Sequence, residues 1–338
     1  MNKIGVIYNP SSGSGKNPLH KRLNRARHAA GVIFIETKSK ADIVPALSQM
    51  ATRGANLLAI VGGDGTVDAV LTALRKHKPF ATEPTIAVYD GGTTNMSYLD
   101  IGYKGRSYNA SLAGFNSRRG QTENPIVDLL KVANDGKLKT LRRSPLQVES
   151  FSLKEPLLGF FLGTVAIPRA IHHTRDTYHT KGMTNGFGQA LATSGMLWRL
   201  VRGNVNGDPI LTPARTVIEH DGTTRTADTV FLTLTSLERL ILGMRPLAKN
   251  AQNKGDLALM GITTPYSRFI SNLPGLLAGR QTLDPELNNG AINLRTDACT
   301  LSFDGEWTLD GEIFNTTAET PLTISAAAPF TFAVGAED

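Results

Sequence analysis

An α/β domain wound around a parallel sheet, followed by a mostly antiparallel all-β domain, is the fold that this 338-residue sequence predicts. Two changes of texture carry the expectation. The first third alternates short apolar runs with helical stretches, the pattern of a parallel sheet wound by helices. From about Leu141 onward, strand-like runs such as those beginning at Leu158, Thr229 and Leu322 are separated by turn residues, the pattern of an antiparallel sheet. A chain of this length with 41% apolar residues can form two hydrophobic cores.

Taken in order, the runs predict a strand over 4–8, a helix from about Pro18, a strand over 32–36, and a helix after Ala41. A strand over 57–61, a helix after Thr66 and a strand over 86–89 complete the series. The polar, Gly- and Asn-containing stretches 118–124 and 134–137 are the best linkers. The expected domains are therefore 1–140 and 141–321, with the extreme C-terminus, about 322–338, as a candidate to pack back on the first.

The formal charge is +7, and the first sixty residues hold nine Lys or Arg against Glu36 and Asp42, so the rest of the chain is balanced. Such a basic excess attracts nucleotide phosphates, nucleic acid or anionic headgroups, and charge alone does not separate them. No aromatic interleaving favours RNA. No run approaches the roughly 20 apolar residues that span a bilayer, and the chain enters a strand pattern at Lys3 with no signal-peptide pattern before it, so a cytoplasmic location is expected. Cys299 is the single cysteine, which excludes an intrachain disulfide and suits a small core residue. His172, His173 and His179 have no cysteine or carboxylate at a zinc-ligand spacing, so structural or substrate-cleft roles are expected for them. Residues 186–204 and 269–280 combine bulky apolar residues with basic ends, as interfacial helices do, and suit burial against the sheet equally well.

Chemistry concentrates in three glycine-rich loops after the first, third and fourth strands. Open parallel sheets bind ligands at those strand ends, so the loops should converge. The first, Asn9-Pro10-Ser11-Ser12-Gly13-Ser14-Gly15-Lys16, offers amides and hydroxyls ahead of a helix N-terminus, where phosphate is favoured. It departs from the usual phosphate loop, since Pro10 and Asn17 replace a glycine and a hydroxyl residue of that pattern. In Gly62-Gly63-Asp64-Gly65-Thr66, glycines admit a nucleotide close to the backbone, while an acid among them suits magnesium or an attacking hydroxyl. The third, Asp90-Gly91-Gly92-Thr93-Thr94-Asn95, adds a glycine pair followed by hydroxyl donors.

Asn9-Pro10, Gly62-Gly63-Asp64-Gly65-Thr66 and Gly92-Thr93-Thr94-Asn95, in that order and at those spacings, resemble the diacylglycerol kinase catalytic-domain family, which includes sphingosine, ceramide and bacterial lipid kinases. The resemblance implies a C-terminal β-sandwich and a nucleotide site in the interdomain cleft. It implies ATP and Mg2+ as cofactors, with Asn9, Pro10, Ser11, Ser12, Gly13, Ser14, Thr37, the 62–66 loop, Gly92, Thr93 and Asn95 around the nucleotide, and Asp64 at the metal. It also implies an Asp-Gly-Glu facing the nucleotide from the second domain. Two copies exist, Asp304-Gly305-Glu306 and Asp310-Gly311-Glu312. The second is preferred, because Leu309, Ile313 and Phe314 look like the family's context, whereas residues 302–307 are expected to form a tight hairpin turn. Asp64, Asp310 and Glu312 are thus the expected catalytic carboxylates, with the choice of general base open.

This sequence departs from the family pattern at Ala69, where a glutamate is usual, and at Met96-Ser97-Tyr98, where Asp-Phe-Ala-Arg is usual. Lys254-Gly255-Asp256 puts a lysine where bacterial members contribute to a second, structural magnesium site. The expected function is ATP-dependent phosphorylation of a lipid hydroxyl of diacylglycerol, ceramide or sphingoid type. The expected partner is a lipid at the inner face of the membrane, bound peripherally, with no nucleic acid and a homodimer left open. One alternative is an NAD kinase, which shares a Gly-Gly-Asp-Gly loop, although neither Asn-Glu nor Thr-Pro-Thr-Gly occurs here. Another is a nucleotide- or lipid-binding regulator that has lost catalysis.

Overall fold

The computed structural model describes residues 1–12, 25–91, 95–105, 124–179, 208–240, 255–264 and 291–337. The chain divides into two compact units, Met1–Arg143 with Pro329–Asp338, and Ser144–Ala328.

The first unit contains β1 (Ile4–Tyr8), β2 (Val32–Glu36), α1 (Ile43–Thr52), β3 (Leu57–Gly62), α2 (Asp64–His77), β4 (Thr85–Asp90), α3 (Met96–Ile101), α4 (Pro125–Asn134) and β5 (Leu138–Arg143). Every residue of β1 and β3 is buried, as expected of strands covered on both faces of a parallel sheet. The expected strands over 4–8 and 32–36 have those bounds, β3 gains Gly62, and β4 gains one residue at each end. In α2 the buried positions Val67, Val70, Leu71 and Leu74 recur at helical spacing, and Arg75, Lys76 and His77 close the last turn, where positive charge suits the helix dipole. This helix begins two residues before Thr66. The helix expected from Pro18 lies outside the described residues.

The second unit holds β6 (Leu146–Glu149), β7 (Leu157–Gly159), β8 (Phe161–Thr164), α5 (Ala166–His179) and β9 (Ala214–His220). It continues through β10 (Thr223–Thr235), β11 (Leu257–Thr263), β12 (Ala291–Thr296), β13 (Ala298–Ser302), β14 (Gly305–Leu309), β15 (Glu312–Thr316) and β16 (Leu322–Ala326). The chain then returns to the first unit as β17 (Phe330–Ala336).

The first sheet has the order β2-β1-β3-β4-β17-β5. Pairing is parallel from β2 to β17, and β5 lies antiparallel to β17. Asp100 of α3 and Arg143 of β5 form an ion pair at 3.1 Å with side chains only 6% and 13% exposed. Removing Asp100 takes this carboxylate away from a largely buried guanidinium. Asp100→Ala is therefore expected to lower unfolding stability by about 3–5 kcal/mol, and joint replacement with Arg143→Leu should recover part of the loss. Urea unfolding midpoints check both; an unchanged midpoint in the single variant contradicts the assignment.

Eleven strands, all antiparallel to their partners, form the second sheet, ordered β15-β14-β8-β10-β9-β13-β16-β6-β7, with β11 joined to β10 and β12 to β11. Its core gathers Leu146, Leu162, Leu232, Leu234, Leu301 and Trp307, and Trp307 stacks on Phe314 at 4.6 Å. Cys299 lies in this core, where burial pushes its thiol up to about 12. β16 belongs here through β13 and β6, so the returning segment begins at Pro329 and not near residue 322.

A further expectation is corrected. Residues 302–307 do not form a hairpin, because β13 pairs with β9 and β16 while β14 pairs with β8 and β15. The tight turn is Asp310-Gly311, which joins β14 to β15 with Leu309 opposite Glu312.

Among the described residues, no helix is long and apolar enough to cross a membrane.

Candidate functional site

The strand order makes the chain reverse its winding between β1 and β3, and open α/β sheets hold ligands outside the carboxyl ends of the strands at such a reversal. Parallel register sets those ends side by side, with Tyr8 opposite Val61 and Gly62 opposite Asp90. The loops that leave them touch.

In the first loop, the Asn9 N–H donates to the Val61 carbonyl at 2.9 Å, and its side-chain Nδ2 donates to Thr66 Oγ1 at 3.0 Å. Asn9 also folds its own loop, accepting from the Ser11 N–H at 3.0 Å through Oδ1 and from the Ser12 hydroxyl at 2.8 Å through its carbonyl. Pro10 and Ser12 are half-buried and Ser11 is exposed. Thr37, after β2, is buried and donates its N–H to the Tyr8 carbonyl at 2.8 Å.

The second loop meets the third through bare backbone. A Cβ on Gly91 would lie 2.7 Å from the Gly62 nitrogen, and one on Gly62 would lie 2.6 Å from Thr66 Cβ. Gly63 and Gly65 remain partly exposed on either side of buried Asp64.

Asp64 does not point out of the loop. Its Oδ2 accepts the Met96 N–H at 3.0 Å and its Oδ1 accepts the Ser97 N–H at 2.9 Å. The reason lies in α3. Asn95, at that helix's N-cap, has a left-handed backbone with φ of 51° and turns its amide to Asp90 Oδ1, so it does not cap the helix itself. The first α3 amides need an acceptor, and Asp64 from the neighbouring loop supplies it. Burial raises the Asp64 pKa, and the amides of Ser97 and Met96 oppose that shift without cancelling it.

These donors also test the expected magnesium ligand. Both Asp64 oxygens face N–H groups and the residue is only 7% exposed. Among the described residues no cluster of three or more His, Cys, Asp or Glu could hold a metal. The arrangement does not fit direct coordination of Mg2+ by Asp64; it fits a hydrogen-bonded latch between the second and third loops. Gly13, Ser14, Gly92, Thr93 and Lys254 lie outside the described residues, as do the stretches 186–204 and 269–280.

The rim lies within a segment that known sequences recognise. Residues 3–124 match the family model of the diacylglycerol kinase catalytic domain. The matched segment contains all three loops. No curated protein matches the chain. Among solved structures, a diacylglycerol kinase from Bacillus anthracis str. Sterne is similar at 16% identity with a TM-score of 0.58, covering 98% of this chain and 97% of that one. A second protein from the same strain, provisionally assigned as a diacylglycerol kinase, is similar at 17% identity with a TM-score of 0.63, covering 98% and 95%. At these identities the likeness establishes a shared fold over nearly the whole chain.

In the second unit the two Asp-Gly-Glu copies have different surroundings. Glu306 pairs with His172 at 3.2 Å, and Asp304 accepts the Ala318 N–H at 2.9 Å. Asp310 accepts the N–H groups of Phe160 and Phe161 at 2.6 and 3.0 Å, while Glu312 opens β15 and is half-buried. Sequence reasoning missed the Gly91 contact and the donation of the Phe160 and Phe161 N–H groups to Asp310. The glycine pair after β4 was a signal for the first; nothing in the sequence marked the second.

Proposed function

We propose that this protein transfers the γ-phosphoryl group of ATP to a lipid hydroxyl of diacylglycerol, ceramide or sphingoid type. The observation that carries the reading is the convergence of three glycine-rich loops at the strand ends of β1, β3 and β4, inside the segment that matches a kinase catalytic domain. Such a rim presents amides, hydroxyls and bare glycine backbone to a polyphosphate.

Asn9, Pro10, Ser11, Ser12, Gly13, Ser14, Thr37, Gly62, Gly63, Gly65, Thr66, Gly92, Thr93 and Asn95 are the proposed nucleotide-contacting set. Phosphoryl transfer depends mainly on placing donor and acceptor in line and balancing charge, so a rigid rim is the protein's main contribution. Mg2+ is proposed to accompany the ATP phosphates, as it does when it keeps most of its waters. Glu312 or Asp310 is the proposed carboxylate that takes the acceptor's proton, and Asp64 the residue that fixes the loops around the phosphates. The lipid is reached peripherally, from the cytoplasmic side of the membrane.

A second reading, a nucleotide- or lipid-binding regulator without catalysis, is favoured by one observation: Asp64 and Asp310 both turn their carboxylates to backbone amides. Transfer of labelled phosphate from ATP and magnesium to a panel of dispersed lipids separates the two. Label in one lipid, strongly reduced in Glu312→Gln, is the expected result. ATP binding with no label in any lipid would select the regulator, and label on NAD the soluble-acceptor kinase.

A further inference from the structure

Asp310 and Gly311 form the two-residue loop between β14 and β15, and both have positive φ, 47° and 93°. Asp-Gly is the residue pair that such a hairpin turn favours, because the turn requires left-handed backbone at both positions. The turn explains the residue types but not the direction of the carboxylate.

That carboxylate reaches across to the short connection between β7 and β8. Oδ2 accepts the Phe160 N–H at 2.6 Å and Oδ1 the Phe161 N–H at 3.0 Å, while the Asp310 N–H donates to the Phe161 carbonyl at 2.9 Å. The Phe160 carbonyl is held as well, accepting from the buried Thr235 hydroxyl at 2.8 Å. Gly159 leaves the room for this contact, since a Cβ there would lie 2.4 Å from Asp310 Oδ2 and 2.7 Å from the Leu309 side chain. Asp64 makes the same two-amide contact with Met96 and Ser97 in the first unit.

We infer that Asp310 is a positioning residue: it staples the β14–β15 turn to the Phe160–Phe161 backbone, in space that Gly159 keeps open, and so fixes where Glu312 stands two residues later. The proton-accepting role then falls outside Asp310. The consequence for Glu312 rests on the lipid-kinase reading above, whereas the staple itself does not.

The test uses the full chain with Asp310→Asn, Gly159→Ala and Glu312→Gln. Asparagine tolerates left-handed backbone, so Asp310→Asn keeps the turn but replaces one acceptor with a donor. Gly159→Ala keeps the carboxylate and displaces it by crowding. Amide hydrogen exchange at Phe160 and Phe161 is expected to accelerate by about 10-fold or more in both variants, with protection along β11 and β12 unchanged. Lipid phosphorylation should fall by about 10- to 100-fold in both, with the shape of the pH–rate profile kept, as for a displaced group. Glu312→Gln should instead leave exchange unchanged and lose the acid limb of the profile.

Unchanged exchange at Phe160 and Phe161 in Asp310→Asn overturns the staple, and that measurement decides even where Gly159→Ala fails to fold. Loss of the acid limb in Asp310→Asn, with full activity in Gly159→Ala, makes Asp310 the proton acceptor and overturns the assignment. A wild type that labels no lipid refutes the kinase reading alone, because the exchange result still decides the staple.

Discussion

Asp64→Asn is expected to lower the proposed lipid phosphorylation by about 100-fold or more, through displacement of the third loop. The substitution turns one oxygen into an amide NH2 that faces either the Met96 or the Ser97 N–H, donor against donor. One hydrogen bond is lost and one buried N–H goes unsatisfied, which costs about 1–3 kcal/mol. The α3 N-terminus then has no acceptor of its own, because the Asn95 side chain is turned to Asp90. The fold of the second unit should be untouched. Folded Asp64→Asn protein with wild-type turnover would sink the latch.

The pH dependence has a definite sign. Burial raises the Asp64 pKa above its unfolded value, so the native state holds the proton to higher pH than the unfolded state does. Stability contributed by this residue is therefore largest below the ordinary aspartate value, about 3.9, falls as pH rises through the raised value, and is constant above it. Asparagine has no such slope. The stability deficit of Asp64→Asn relative to wild type is thus expected to be greatest in acid and to shrink toward neutral pH, as read from urea midpoints across that range.

What the sequence disclosed follows from the range of the interactions involved. The strands β1, β3 and β4 were legible because strands covered on both faces of a parallel sheet need continuous apolar runs, and the less buried edge strand β2 still carries the run Val32 to Ile35; each run is a local property. The loops that follow them were legible because glycine pairs sit directly after those runs. Side-chain direction was not. Asp64 points at Met96 and Ser97 because Asn95, thirty-one residues further along, fails to cap α3, and no window of sequence contains both facts.

The two Asp-Gly-Glu copies make the same point about register. Each is a turn dipeptide between strand-like residues, so either suits a hairpin. Which one turns depends on β14 choosing β15 and β8 as neighbours while β13 chooses β9 and β16, and those partners lie far away in sequence. The run at Leu322 resembled a returning strand for a similar reason. Its register with β13 and β6 keeps it in the second unit, and only β17 crosses back.

Gly91→Ala is expected to disable the rim while leaving the rest of the molecule folded. The new methyl would lie 2.7 Å from the Gly62 nitrogen, 2.9 Å from its Cα and 3.2 Å from its carbonyl carbon, all backbone atoms that no rotamer change can remove. Gly62 cannot simply retreat, because it is the last residue of β3, paired with Asp90, and lies against the Thr66 side chain. Thr66 in turn accepts from Asn9, so a displacement at Gly91 passes through all three loops. Overpacking of this kind costs about 1–3 kcal/mol, and a misplacement of about 1 Å at a reacting centre lowers turnover by about 100-fold. ATP binding measured by calorimetry should weaken together with lipid phosphorylation. Unfolding of the second unit, followed by hydrogen exchange in the core strand that carries buried Trp307, should not shift. Wild-type ATP affinity in Gly91→Ala would move the nucleotide away from the β1, β3 and β4 strand ends, and faster exchange around Trp307 would mean that the crowding is felt beyond the sheet that contains it.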